Sequence, residues 1–173
     1  DFKIIKLSPV IILSISTIFC YYELSAGYNS KLLVNAKNKN RYNDMIKYSN
    51  NILLYKKNID YYGNPIQSYL GLSYYKLDNK DLAYDYFKKS MSLSPYHLRS
   101  MVYSLLLSPD FENDNVVNNK LKNFNEIYPN IYKPKIDLAK YYIRNNKKDF
   151  ALKILNLRKC YTFLFHIFTF PFI

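Results

Sequence analysis

The chain has 173 residues and a formal net charge of +12, with 20 Tyr, 11 Phe, no Trp, three Gly, two Cys and two His. That length admits one domain plus an accessory segment, and the aromatic content supplies ample core volume. Two cysteines (20 and 160) and two isolated histidines (97 and 166) exclude a disulfide framework and disfavour a metal site. Arginine occurs only at 41, 99, 144 and 158, and Lys is spread along the chain with Asn, Tyr and Ile. That uniform bias is unlike a clustered basic face and disfavours a nucleic-acid partner.

Leu7 to Tyr22 is a 16-residue run without charge. Lys6 can snorkel, so Ile4 and Ile5 extend the run, and residues 4–22 read as a transmembrane helix near the lower length limit of about 17 residues. Tyr21 and Tyr22 suit a membrane interface. Lys3 and Lys6 precede the run and Glu23 follows it, which favours a cytoplasmic N-terminus, a single pass and repeats on the extracytoplasmic side, with Lys31, Lys37 and Lys39 weakening the asymmetry. Two other readings stay open: a cleaved signal peptide, for which Ser25-Ala26-Gly27 offers small residues, and a buried helix of a soluble protein. Phe19 is too bulky for a lipoprotein cleavage site before Cys20. The chain opens on Asp1 rather than Met and reads as a fragment.

Residues 23–63 are expected to hold a spacer and a first, degenerate helix pair. Asn40 to Tyr48 looks like the start of that pair's second helix, continued by Ile52 and Leu53. The clearest unit is 64–97. Gln67, Leu70, Gly71 and Tyr74 fall three and four apart on one helical face, Lys76 to Lys80 make a polar break, and Ala83, Phe87 and Ser90 share a face of a second helix. Ser94-Pro95 ends it. Small Gly71, Ala83 and Ser90 let the helix backbones approach, while Leu70, Tyr74 and Phe87 fill the space around them. His97 follows as a helix start or surface contact. In 98–131, Met101, Val102, Leu105 and Leu106 mark a helix that Ser108-Pro109 is expected to cut short. Asp110 to Asn115 follows as a solvated polar loop, and then a helix with Val117, Leu121 and Phe124 on one face. In 132–159, Leu138, Ala139, Tyr142, Ala151 and Leu155 restore the pattern. The stretch 160–173 is an apolar tail, opposite in character to the polar cap of a solenoid.

These residues form a repeat. Leu70, Gly71, Tyr74, Asp81, Ala83 and Phe87 return as Leu138, Ala139, Tyr142, Asp149, Ala151 and Leu155 after 68 residues, twice 34, and Pro95 and Pro129 stand 34 apart. Met45 to Ala83 is 38, so four extra residues fall near Lys57 to Gly63. Gln67, Leu70, Gly71, Tyr74, Ala83, Phe87 and Pro95 resemble the tetratricopeptide repeat, W-x2-L-G-x2-Y then A-x3-F then P, with Gln67 in place of tryptophan. The resemblance implies an all-α chain, a tetratricopeptide-type helix-pair solenoid of about three or four repeats, and the apolar run places one transmembrane helix before it. An ordinary helical domain is the competing reading.

No P-loop, dinucleotide fingerprint or nucleophile elbow is present, so no catalytic residue, cofactor or metal is expected. Asp110, Glu112 and Asp114 lack the glycine and closing glutamate of a calcium loop. The resemblance implies a concave groove lined by the first helix of each repeat. Carried over residue by residue, it offers Ser68, Leu72, Tyr75 and Lys76, then Arg99, Val102 and Leu106, then Lys133, Ile136, Lys140, Ile143 and Arg144. The function this implies is a membrane-tethered interaction scaffold that holds a protein or peptide, acidic if the basic groove residues select it. The order of membrane helix, spacer and repeats is also similar to the C-terminal part of bacterial O-antigen ligase or polymerase-like proteins. That implies the alternative of an accessory region of a glycan-transferring enzyme whose catalytic part lies upstream.

Overall fold

The computed structural model describes residues 2–156, with side chains from 9 to 155. The 160–173 tail, with Cys160 and His166, and the end of the last expected repeat lie outside the described residues. Eight helices and no strand make up the described residues: α1 (Phe2–Asn38), α2 (Tyr42–Leu54), α3 (Ile66–Lys76), α4 (Lys80–Leu93), α5 (Leu98–Phe111), α6 (Asp114–Ile127), α7 (Lys133–Arg144) and α8 (Lys148–Asn156). The chain divides into two compact units, Asp1–Ser100 and Met101–Ile173, with the boundary inside α5.

In the first unit α1 is one helix of 37 residues. By length and composition it is able to cross a membrane between Pro9 and Asn38. Val10, Ile12, Leu13, Ile15 and Phe19 are exposed. The hydroxyls of Ser14, Ser16 and Thr17 donate to the carbonyls of Val10, Ile12 and Ser14 at 2.8, 2.8 and 2.9 Å. The polar atoms of this stretch are thereby satisfied inside the helix. Beyond it the same helix turns Ala26, Ser30, Leu33 and Ala36, spaced four, three and three, into the interior. The segment expected as a spacer is therefore helical, and residues 26–36 make the first helix of the first pair.

That pair closes on α2, which packs against both α1 and α3, while α3 packs on α4. Leu33 and Ala36 meet Met45, Ile52, Ile66 and Tyr69 in one buried cluster, with Leu72 beside it. Three of the helix ends share one geometry. Asn40, Asp78 and Asn146 have φ of 54°, 60° and 59°. The next residue's N–H bonds a carbonyl five back in each case: Arg41 to Ala36, Asn79 to Tyr74 and Lys147 to Tyr142, all at 2.9 Å. This is the Schellman closure, with Asn or Asp in the left-handed position usually given to glycine. Asn79 then caps α4, its side chain accepting from the Leu82 N–H at 3.1 Å. Gly71 lies against the Phe87 ring, and Leu70, Ala83, Phe87 and Ser90 are fully buried.

In the second unit α5 does not stop at Ser108-Pro109, as its sequence leads one to expect, but continues to Phe111. Proline removes the N–H that would bond the Leu105 carbonyl. Ser108 Oγ donates to that carbonyl at 2.8 Å, and the Glu112 N–H bonds the Ser108 carbonyl at 2.8 Å, so the turn holds. Only Glu112 and Asn113 remain between α5 and α6, and Asn113 caps α6 through the Val116 N–H at 3.0 Å. The acidic stretch is likewise not a loop but the end of α5 and the start of α6, and its carboxylates are paired although Asp110 is exposed. Asp110 accepts from Tyr141 Oη at 2.9 Å, and Glu112 pairs with Lys120 at 2.8 Å. Asp114 accepts from Tyr142 Oη at 3.1 Å and Lys147 Nζ at 2.8 Å. Val117, Leu121 and Phe124 are buried, and α7 packs on α8 through Leu138, Ala139, Tyr142, Ala151 and Leu155.

Candidate functional site

The four residues in excess of the 34-residue period fall in the α2–α3 connection of the first unit, and they are organised by one carboxylate. Asp60 is 5% exposed. Its Oδ1 accepts from the Tyr62 and Asn64 N–H groups at 2.8 and 2.7 Å, and its Oδ2 from Asn64 Nδ2 at 3.0 Å and Tyr69 Oη at 2.6 Å. The loop is closed behind it by the Asp60 N–H to Asn64 carbonyl and Ile66 N–H to Asn58 carbonyl bonds, both 2.8 Å. Tyr69, on the first turn of α3, is thus fixed at its hydroxyl. Burial, and then the Asp60 bond and charge, push that hydroxyl's pKa well above its ordinary value, with the charge of Arg99 and its side-chain hydrogen bond to Tyr69 opposing.

Tyr69 in turn carries Arg99, from the first turn of α5, whose guanidinium carbon lies 5.3 Å from the ring centroid. Arg99 Nη1 is buried without a hydrogen-bond acceptor. Lys37 of α1 and His97 belong to the same neighbourhood. Burial first, and then the Arg99 charge, lower the pKa of each, with Asp60 opposing. His97 Nδ1 is 2.8 Å from Ser100 Oγ, which is 2.7 Å from Ser90 Oγ, tying the start of α5 to α4. The cluster holds two cations, Lys37 and Arg99, to one carboxylate whose acceptor positions are already used. An anionic acceptor brought to the Arg99 N–H would relieve a buried unsatisfied donor and form a charge-assisted bond.

Beside this cluster, a cavity of about 300 Å³ is lined by Gly27, Ser30, Lys31, Val34, Tyr61 and Tyr62. A Cβ on Gly27 would meet nothing within 4 Å. Tyr61 and Tyr62, 87% and 71% exposed, pack edge to face with centroids 5.5 Å apart.

The residues inferred for a groove lie as follows. Ser68 is fully buried and presents no side-chain surface, and its place in the packing leaves its Oγ without a partner. Leu72 and Tyr75 are half-buried, and Lys76 is exposed with Nζ 5.9 Å from the Tyr75 centroid. Arg99 is half-buried in the polar cluster. In the second unit, Val102, Leu106, Ile136 and Ile143 are half-buried, while Lys133, Lys140 and Arg144 are exposed along α7. Sequence reasoning singled out Arg99 but not Lys37, Asp60, Tyr69 or the paired Tyr61 and Tyr62. The excess of four residues marked the insertion without revealing what it holds. Among the described residues no group of three or more His, Cys, Asp or Glu is placed to hold a metal.

A solved structure of MamA, a tetratricopeptide-like helical protein, superposes with a TM-score of 0.63 at 14% identity, over 80% of this chain and 79% of that one. The fold is of the tetratricopeptide type. At that identity the likeness carries the fold and no further. No family model and no curated protein sequence matches the chain. Within the tetratricopeptide-type frame, α1, α3, α5 and α7 take the place of the first helix of each pair. Lys37, Tyr69 and Arg99 therefore stand on three first helices of the first unit.

Proposed function

We propose that the chain is a non-catalytic, membrane-tethered scaffold that binds an acidic segment of a protein partner at the Lys37–Tyr69–Arg99 cluster. The observation that carries this reading is Arg99: a half-buried guanidinium, fixed over a tyrosine ring, with a buried N–H that has no acceptor. Side chains at Leu72, Tyr75 and Lys76 on α3 extend the surface, and the cavity over Gly27 accepts an apolar side chain next to the acidic group. In the second unit, Lys133, Lys140 and Arg144 give α7 an exposed basic face of the same preference. The test is an array of acidic, neutral and basic peptides probed with the full chain. Selective retention of acidic peptides supports the reading, and indifference to charge removes it.

The tether is α1, with the repeats on the extracytoplasmic side as the flanking charges favour. Its exposed apolar residues and internally bonded hydroxyls support a lipid surrounding. Retention in membranes after an alkaline carbonate wash tests it, and release into the supernatant counts against it. The alternative, an accessory region of a glycan-transferring membrane enzyme, rests on the sequence resemblance alone. Further membrane spans encoded upstream of Asp1 would favour it.

A further inference from the structure

The turn that ends α2 returns to the level of α1 at which the apolar run gives way to charge. Asn51 Nδ2 donates to Asn29 Oδ1 at 3.1 Å on the way back. The Tyr55 ring then packs edge-on against Tyr22 with centroids 5.5 Å apart, and Lys57 Nζ pairs with Glu23 Oε1 at 2.6 Å. A shallow depression here is lined by Phe19 and Tyr22 of α1 and by Leu54, Tyr55 and Lys56 of the turn, among others. Leu54 is 78% exposed, although Met45 and Ile52 of the same helix are fully buried. A lone exposed leucine needs no explanation. This one lines the depression with Phe19 and Tyr22, which are exposed as well.

The geometry points to a second membrane contact, made by the first helix pair itself: the Leu54–Lys57 turn rests in the lipid headgroup layer, with Leu54 against the acyl chains and the Lys56 ammonium among the phosphates. The inference rests on α1 being a membrane span. Residues 4–22 of a helix cover about 28 Å at 1.5 Å per residue, close to the hydrocarbon thickness of about 30 Å. Phe19 then lies inside one edge of the hydrocarbon, and Tyr22 and Glu23 at its boundary. Because α1 runs unbroken into the repeat, no linker lifts the pair from the surface, and the contacts of Tyr55 and Lys57 set the turn at the same depth. That depth makes lipid, rather than a protein partner, the occupant. Tyrosines favour this layer, and a lysine stem can lie along apolar surface while its head reaches phosphate. The second contact fixes the angle of the pair, so that Lys37, 14 residues beyond Glu23, is presented roughly 20 Å along α1 from the boundary.

Spin labels test this on the full chain. In a Cys20→Ser, Cys160→Ser background, Leu54→Cys, Asn43→Cys and Ile15→Cys are each labelled with a nitroxide and reconstituted into phosphatidylcholine–phosphatidylglycerol vesicles. Collision with oxygen is compared with collision with a water-soluble nickel chelate. The expected result is a lipid signature at 54 and 15, favouring oxygen, and an aqueous one at 43. A label at 54 that matches 43 while 15 stays in lipid overturns the second contact and leaves the anchor standing. Aqueous signatures at both 54 and 15 overturn the contact and the anchor together.

Discussion

The Phe87 ring occupies the space into which any side chain at Gly71 would grow: a Cβ there would stand 2.9 Å from both Cδ1 and Cε1. The ring is fully buried and has little room to yield. Gly71→Leu, and Ala83→Phe on the facing helix, should each destabilise the chain by about 1–3 kcal/mol through overpacking. Chemical denaturation of the two variants checks it, and unchanged stability would show that α3 and α4 do not meet in this register.

The left-handed turn residues Asp78 and Asn146 give a second expectation. Valine tolerates positive φ poorly because its branched Cβ crowds the backbone. Asp78→Val and Asn146→Val should each cost about 1–2 kcal/mol, whereas Asp78→Gly should be close to neutral. The thermal midpoints of the three variants decide it. A valine variant as stable as the glycine one would argue against the Schellman closure.

Removing the Asp60 carboxylate should disturb more than one element. Asp60→Ala strips acceptors from the Tyr62 and Asn64 N–H groups and from the Tyr69 hydroxyl. The expected loss is about 1–3 kcal/mol per donor left buried and unsatisfied, less where water enters. Hydrogen exchange should rise first at the N–H groups of residues 60–66. Uniform exchange across the whole unit would mean that the loop has no local organisation of its own.

His97 sets a pH dependence with a definite sign. Burial favours its neutral ring, so its folded pKa lies below the ordinary 6.5. Between those two values the unfolded chain binds more protons than the folded one. The contribution is therefore complete above about 6.5 and is lost as pH falls through the window below it. Denaturation midpoints of the wild type should drop from pH 7 toward pH 5, and His97→Gln should drop less. Equal slopes for the two proteins would assign the effect to other groups.

Much of the fold is legible in the residues themselves. The spacing of Leu70, Gly71, Tyr74, Ala83 and Phe87 encodes the packing of α3 on α4, because helix pairing at close range needs small and large residues at fixed offsets. The pairing half of α1 is harder to read. Its buried stripe of Ala26, Ser30, Leu33 and Ala36 is weakly apolar and adjoins a strongly apolar run, so the change of period is masked. Pro109 misleads for a local reason, since Ser108 supplies the bond that the proline forfeits. At the candidate site only Arg99 emerges from the repeat register. Asp60 lies in a connection with no periodicity to place it, and Lys37 lies on the helix whose pairing role is masked.

The measurement that bears most directly on the central claim is a titration of vesicle-reconstituted full chain, wild type and Arg99→Gln, with the tightest acidic peptide from the array. Wild type should bind saturably. Arg99→Gln should bind at least about tenfold more weakly, a loss of roughly 1.4 kcal/mol, while its thermal midpoint stays within a few degrees of wild type. Equal affinity in the two proteins would contradict the account and leave the Lys37–Tyr69–Arg99 cluster a structural feature of the first unit.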